Sequence, residues 1–189
     1  MTTKSRLIVG ISGSSGIIYG ITLLQELKKL NIETHLIVSK AGQLTRAYET
    51  DLSAAELREL ADVSYSYNDI SAPIASGSFK TLGMIIAPCS MNTLGEIAHS
   101  LSSNLLARAA DVVLKERRRL VLLPREAPLH LGHLENMIKV TQQGGIIYPP
   151  VPAFYNKPQT LTDIIEDTVG RVLDLFDCNS SLVSRWKED

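Results

Sequence analysis

Cysteine is scarce in this chain. Of 189 residues only Cys89 and Cys178 carry a thiol, far apart and in no Cys-x-x-Cys pair. Neither a disulfide framework nor a structural zinc site is therefore expected, and both thiols should be reduced. An excess of one charge is lacking too: nineteen Lys and Arg stand against twenty Asp and Glu. That balance creates no overall field to attract nucleic acid or an anionic membrane, so specificity must come from a site. At the N-terminus, Met1 to Arg6 lead into the apolar run Leu7–Ile11, too short for a signal-peptide core or a membrane span, and a cytoplasmic protein is expected. There is no internal repeat, low-complexity tract or domain linker. No G-K-[ST] tripeptide occurs, which argues against a nucleoside triphosphate P-loop. His130 and His133, with Glu135 close by, lack further ligands at a known metal spacing. They are read as local hydrogen-bonding groups, with no metal expected.

What is present alternates between buried-strand runs and helical periodicity. Leu7–Ile11 is followed by Ser12-Gly13-Ser14-Ser15-Gly16 and then by Ile17, Ile18, Ile21, Leu24, Leu27 and Leu30 at helical spacing, which predicts strand, tight turn and helix. Leu36-Ile37-Val38 completes a βαβ unit with a right-handed crossover and ends at Ser39. Lys40 to Glu49 reads as helix, and Ser53-Ala54-Ala55-Glu56 is a capping-box pattern that starts a shorter one. Gly83–Ala87 repeats the buried-strand signature, stopping at Pro88-Cys89-Ser90-Met91-Asn92-Thr93, a polar segment that opens a helix towards His99. Ser102 or Ser103 is expected to cap a helix from Asn104 to about Arg118. Leu120–Leu123 is a short strand buried on both faces, and it delivers Arg125 and Glu126, bracketed by Pro124 and Pro128, to its end. Leu134 to Gln143 is expected as helix, Ile146–Tyr148 as a last strand, and a helix restarts at Thr160–Asp163. The tail from about 177 has no core signature. The pattern over 1–189 is that of a single doubly wound α/β domain.

In such a sheet ligands bind beyond the carboxyl ends of the strands. Gly10, Gly13 and Gly16 follow the first strand as G-x-x-G-x-x-G, which does not match the dinucleotide fingerprint. Ser39 also stands where an NAD site wants an acidic residue for the ribose, and serine suits a phosphate. The glycines either permit only a tight turn or open an anion site at the helix start, beside Ser14 and Ser15. Ser90, Asn92 and Thr93 are either simple caps or donors to a polar ring edge or phosphate. Lys115, Arg117, Arg118 and Arg119 sit in a helix's last turn, where the dipole favours cations whatever the function. Arg125 is the sharper candidate, since its planar fork suits a phosphate and its place is a strand end. It forms either an anion site or a surface ion pair with Glu126. Tyr155 and Trp186 are polar-tipped aromatics outside the regular elements.

The chain resembles the UbiX-type flavin prenyltransferases, formerly described as phenylacrylic or hydroxybenzoate decarboxylase subunits. The resemblance runs over nearly the whole length. It rests on Gly10-Ile11-Ser12-Gly13-Ser14-Ser15-Gly16, Val38-Ser39-Lys40, Glu49-Thr50-Asp51, Ser76-Gly77-Ser78-Phe79, Pro88 to Leu94, Arg108 to Val112, Leu114-Lys115-Glu116-Arg117, Pro124 to Leu129, His133 to Met137, and Pro152-Ala153-Phe154-Tyr155. It implies a Rossmann-like (flavodoxin-like) parallel sheet flanked by helices. It also implies a metal-independent transferase that joins a dimethylallyl group from dimethylallyl monophosphate to reduced FMN, giving prenylated FMN for a UbiD-type decarboxylase. By that analogy Gly13, Ser14, Ser15, Ser39, Ser90, Met91, Asn92, Thr93 and Arg125 hold FMN, its phosphate lying on the serine hydroxyls and the first helix. Arg108, Lys115, Glu126, Tyr155 and Arg171 surround the prenyl phosphate. Ser15, Glu49 and Glu126 handle protons, with Lys115 also assigned to catalysis. Trp186 corresponds to a C-terminal aromatic contact of some members. The family's large homo-oligomers, often dodecamers, place the active site at a subunit junction. Ser14 departs from the commonest pattern, in which alanine stands at this position.

The residue types suit that chemistry. Breaking an allylic carbon–oxygen bond leaves phosphate charge for fixed cations and spreads positive charge over a fragment that an electron-rich face stabilises. Two rivals are set aside on residues. A flavin-dependent cysteine decarboxylase wants a catalytic histidine and a Pro-Ala-Ser-Ala-Asn-Thr segment at the flavin. A flavodoxin-like electron carrier needs no convergence of Arg108, Lys115 and Arg125 and is usually more acidic.

Overall fold

The central strands of this chain are buried on both faces, and their side chains alternate with a period of two. The computed structural model describes residues 4–183. Strand β1 (Arg6–Ile11) turns Leu7, Val9 and Ile11 to one side and Ile8 to the other. β4 (Gly83–Cys89) divides Ile85 and Ala87 from Met84 and Ile86, and β5 (Arg119–Pro124) divides Val121 and Leu123 from Leu120 and Leu122. Two apolar faces need two layers of helix. The first is covered by α1 (Ile17–Lys29), α7 (Leu161–Asp174) and Leu57 of α3 (Ala54–Glu59). The second is covered by α4 (Met91–Ala98), α5 (Leu105–Lys115) and Val140 of α6 (Leu131–Gln142). Among the described residues no helix is long and apolar enough to cross a membrane.

The sheet is parallel throughout and runs β3-β2-β1-β4-β5-β6, with β2 (Glu33–Val38), β3 (Val63–Tyr65) and β6 (Ile146–Ile147) completing it. This is the Rossmann order; without the short β3, the other five strands run in the flavodoxin order. The order reverses between β1 and β4, where successive crossovers leave in opposite directions and open a crevice at the strands' carboxyl ends.

Element bounds follow local chemistry. Ser39 caps α2 (Lys40–Glu49), and capping boxes open α3 at Ser53/Glu56 and α7 at Thr160/Asp163. Asn104 is itself the N-cap of α5, its side chain accepting the Ala107 N–H, so neither Ser102 nor Ser103 has that role. The helix also ends at Lys115 rather than Arg118, because Arg117 turns to φ 57°. α6 begins at Leu131, three residues earlier than its apolar periodicity indicates, since His130 Nδ1 accepts the Gly132 N–H at 3.1 Å. β3 has no apolar run to announce it: its three residues, Val-Ser-Tyr, are each half-buried at the sheet's edge.

Candidate functional site

The carboxyl ends of β1, β2, β4 and β5 meet around one cleft of about 670 Å³, a size suited to a small-molecule site. From β1 come Gly13, Ser14 and Ser15; from β2, Ser39; from β4, Ser90 to Thr93; from β5, Arg125 and Glu126. The turn after β1 lies close against α2: a Cβ built on Gly13 would sit 2.2 Å from that of Ala41. Gly16 then turns at φ 106° into α1, a conformation that favours glycine.

Ser39 and Ser90 both cap helices and both line the cleft. Ser39 Oγ accepts the Gly42 N–H at 3.0 Å, and Ser90 Oγ accepts the Thr93 N–H at 3.3 Å while donating to Thr93 Oγ1 at 3.2 Å. A hydroxyl oxygen that accepts one bond keeps its proton to give. The hydroxyls of Ser39 and Thr93 are therefore available to an anion, next to the N-terminal ends of α2 and α4, where partial positive charge gathers. This donor set, with Arg125, fits the phosphate of a flavin mononucleotide. Met91 and Tyr67 add apolar surface. Cys89, next door, is buried and its thiol is pushed up by that burial, so it acts as packing.

The start of α1 already holds an anion of its own. Glu49, at the end of α2, places Oε2 2.9 Å from the Gly16 N–H and 3.1 Å from the Ile17 N–H. Limited burial pushes its carboxyl up. The Ser15 hydroxyl and these two N–H groups outweigh that, with help from the Arg125 charge, and hold it below the usual carboxylate range. The first helix thus spends its Gly16 and Ile17 amides on Glu49, and the first turns of α2 and α4 are further donors at the cleft. Behind the turn, Ser12 is fully buried. Its hydroxyl donates to the Pro88 carbonyl at 3.2 Å and accepts the Ser90 N–H at 2.7 Å, lacing β1 to β4. Arg125 and Glu126 form no ion pair with each other: Glu126 Oε1 accepts the Ala127 N–H at 3.1 Å, and both side chains line the cleft.

The remaining candidates are not gathered at this cleft. Arg108 pairs with Asp111 at 2.8 Å on α5. Lys115, at the other end of that helix, pairs with Glu116 at 2.5 Å beside Gly77. α5 returns antiparallel to the strands, so Lys115 lies at the sheet's opposite edge, about 15 Å along the helix from its start. Arg171 pairs with Asp174 at 2.8 Å, and it and Tyr155 both act on Tyr148, whose phenol burial pushes up. Tyr155 is 60% exposed in the 3₁₀ turn Phe154–Asn156. Trp186 lies outside the described residues. Of the last-turn cations, Arg118 holds the carbonyls of Gly77 and Phe79, and Arg119 lies 3.6 Å from Asp177. The His130 and His133 rings lie with centroids 3.6 Å apart, tilted by 32°. Among the described residues no group of three or more His, Cys, Asp or Glu is placed to hold a metal ion.

Sequence reasoning passes over Lys40, Ala41 and Tyr67, which also line the cleft. Lys40 and Ala41 carry a faint signal, as the first residues of the helix that Ser39 caps. Tyr67 carries none, because it follows the unannounced β3. Ser12 is legible only as a turn residue.

The Flavoprotein family model matches residues 1–176. The chain is 57% identical to the flavin prenyltransferase UbiX of Escherichia coli (strain K12) over 185 residues, covering 96% of this chain and 98% of that protein. It superposes with a TM-score of 0.96 on the crystal structure of AnUbiX in complex with FMN and dimethylallyl pyrophosphate, at 48% identity, covering 98% of this chain and 99% of that one. On a dodecameric FMN-dependent UbiX-like decarboxylase from Escherichia coli O157:H7 the TM-score is 0.94, at 49% identity, covering 96% and 99%. Such identity over nearly the whole length, on the same fold, means that the chain belongs to the UbiX flavin prenyltransferases of the Flavoprotein family.

Proposed function

We propose that the chain joins a dimethylallyl group from dimethylallyl monophosphate to reduced FMN, releases phosphate, and supplies prenylated FMN to a UbiD-type decarboxylase. The observation that carries this reading is the set of anion donors converging on one cleft: the Ser39 and Thr93 hydroxyls, the first turns of α2 and α4, and Arg125. Reduced FMN supplies an electron-rich ring to receive the allyl carbon. The protein's share is positioning and charge. Met91 and Tyr67 give the ring system apolar contact, and Arg125 offers a phosphate its planar fork. Glu126, which lines the cleft, and Glu49, one side chain behind Ser15, are the proton acceptors. Glu49 works with Ser15, whose hydroxyl it meets.

The cations that the resemblance assigns to the prenyl phosphate are not brought to this cleft by a single copy. Lys115 lies at the far edge of its own sheet, and Arg171 and Tyr155 gather near Tyr148. We assign these residues, with Arg108, to the leaving phosphate at a junction between copies of a homo-oligomer, a dodecamer as in the relative so described. No histidine lines the cleft among the described residues, which sets this site apart from the cysteine decarboxylases expected to carry one. The test is anaerobic incubation with reduced FMN and either dimethylallyl monophosphate or the pyrophosphate, followed by mass analysis of the flavin. The reading expects a flavin heavier by one dimethylallyl group with the monophosphate, and an unmodified flavin beside an active control enzyme overturns it. Light scattering in the same buffer checks the dodecamer, and transfer of the product to an apo UbiD-type decarboxylase checks the partner.

A further inference from the structure

Ser14 lines the cleft, and its hydroxyl is already engaged. Ser14 Oγ donates to the carbonyl of Arg125 at 3.0 Å, across 111 residues of chain; its approach to the Ser15 carbonyl, at 3.5 Å, is the weaker one. A serine hydroxyl has one proton, and a phosphate oxygen only accepts. With that proton on Arg125, Ser14 cannot also donate to the phosphate of FMN. Arg125 needs such a tie. It is the first residue beyond the β5 ladder, which ends where Pro124 pairs with Cys89. Its N–H reaches the Cys89 carbonyl at a long 3.3 Å. The Ser14 bond holds the other side of the same residue, joining the β1–α1 turn to the end of β5 across the mouth of the cleft.

We infer that Ser14 is a positioning residue: its hydroxyl clamps the Arg125 backbone so that the guanidinium is presented to the cofactor, and it does not itself bind FMN. This rests on the reading of the cleft as the FMN site. It predicts that Ser14 acts through the Arg125 side chain alone. The test is a double-mutant cycle of Ser14→Ala and Arg125→Met, read as the dissociation constant for FMN by flavin fluorescence, with titration into the millimolar range and circular dichroism to confirm folding. In the Arg125 background, Ser14→Ala should weaken FMN by roughly two- to tenfold, the range of one neutral hydrogen bond. In the Arg125→Met background the same change should alter affinity by less than about twofold, since no guanidinium remains to be positioned. An equal loss in both backgrounds means that the hydroxyl meets the flavin directly and overturns the assignment. No loss in either background shows the tie to be idle and overturns it as well. A wild-type chain that takes up no FMN overturns the cofactor reading and this assignment with it, and is distinguished by failing before any substitution is made.

Discussion

Replacing Ser12 with alanine should cost the protein much of its thermal margin while barely changing its volume. Ser12 is 1% exposed, and its hydroxyl serves two groups, the Ser90 N–H at 2.7 Å and the Pro88 carbonyl at 3.2 Å. The Pro88 carbonyl keeps the Ser12 N–H at 3.1 Å, so its share of the loss is small, roughly 0.5 kcal/mol. The Ser90 N–H, on a half-buried residue just beyond β4, loses its partner, at a cost in the lower half of the about 1–3 kcal/mol that an unsatisfied buried donor carries. The sum is about 2 kcal/mol. In a chain of this length each kcal/mol moves Tm by roughly 2–4 °C, so the expected fall is about 4–8 °C. The measurement is thermal unfolding without flavin at one fixed protein concentration, because assembly links Tm to concentration. Ser5→Ala, at an exposed site, is the control and should lie within about 0.5 kcal/mol of wild type. FMN affinity should fall as well, since Ser12 seats the turn that carries Ser90 to Thr93. A Ser12→Ala protein melting with the control would refute the claim that this hydroxyl laces the two strands.

Glu49→Gln tests the cap on α1 through pH. The Glu49 carboxyl is held below its ordinary value of 4.5, so the ionised form stabilises the fold fully above that pH, and the contribution is lost as pH falls through the lower folded value. The Tm gap between wild type and Glu49→Gln should be flat above pH 4.5 and shrink below it; a gap that widens on acidification contradicts the cap. Gly13→Ala places a Cβ 2.2 Å from that of Ala41, and it should lower Tm and FMN affinity together; unchanged FMN binding would show that the turn can move aside. Glu126→Gln should leave FMN affinity intact and slow ring closure by roughly 10² or more, the scale of a lost acid–base group, with single-turnover flavin spectra as the readout. Full turnover in that variant would remove Glu126 from the proton path.

What was legible in the sequence is local. The runs of β1, β4 and β5, the Ser53 and Thr160 capping boxes, and the helix that Ser39 starts are each encoded within a few neighbouring residues, by periodicity or by a side chain reaching its own backbone. Short and irregular signals failed. β3 offers three half-buried residues, and the start of α6 depends on one imidazole bonded to Gly132. Strand-end logic and family motifs also placed Gly13, Ser39, Ser90 to Thr93, Arg125 and Glu126 on a common crevice, because every parallel strand in such a sheet ends at the same edge.

Only the tertiary structure decided what those residues do to one another. It put the Glu49 carboxylate on the first amides of α1, joined Ser14 to the Arg125 backbone, buried Ser12 between two strands, and carried Lys115 to the far edge of the sheet. By themselves, the sequence's strand and helix patterns determine which segments can form layers and which ends face a ligand. Bonds spanning 33, 78 and 111 residues leave no trace in spacing, because they depend on the strand order and on how closely the turns approach once the sheet has formed.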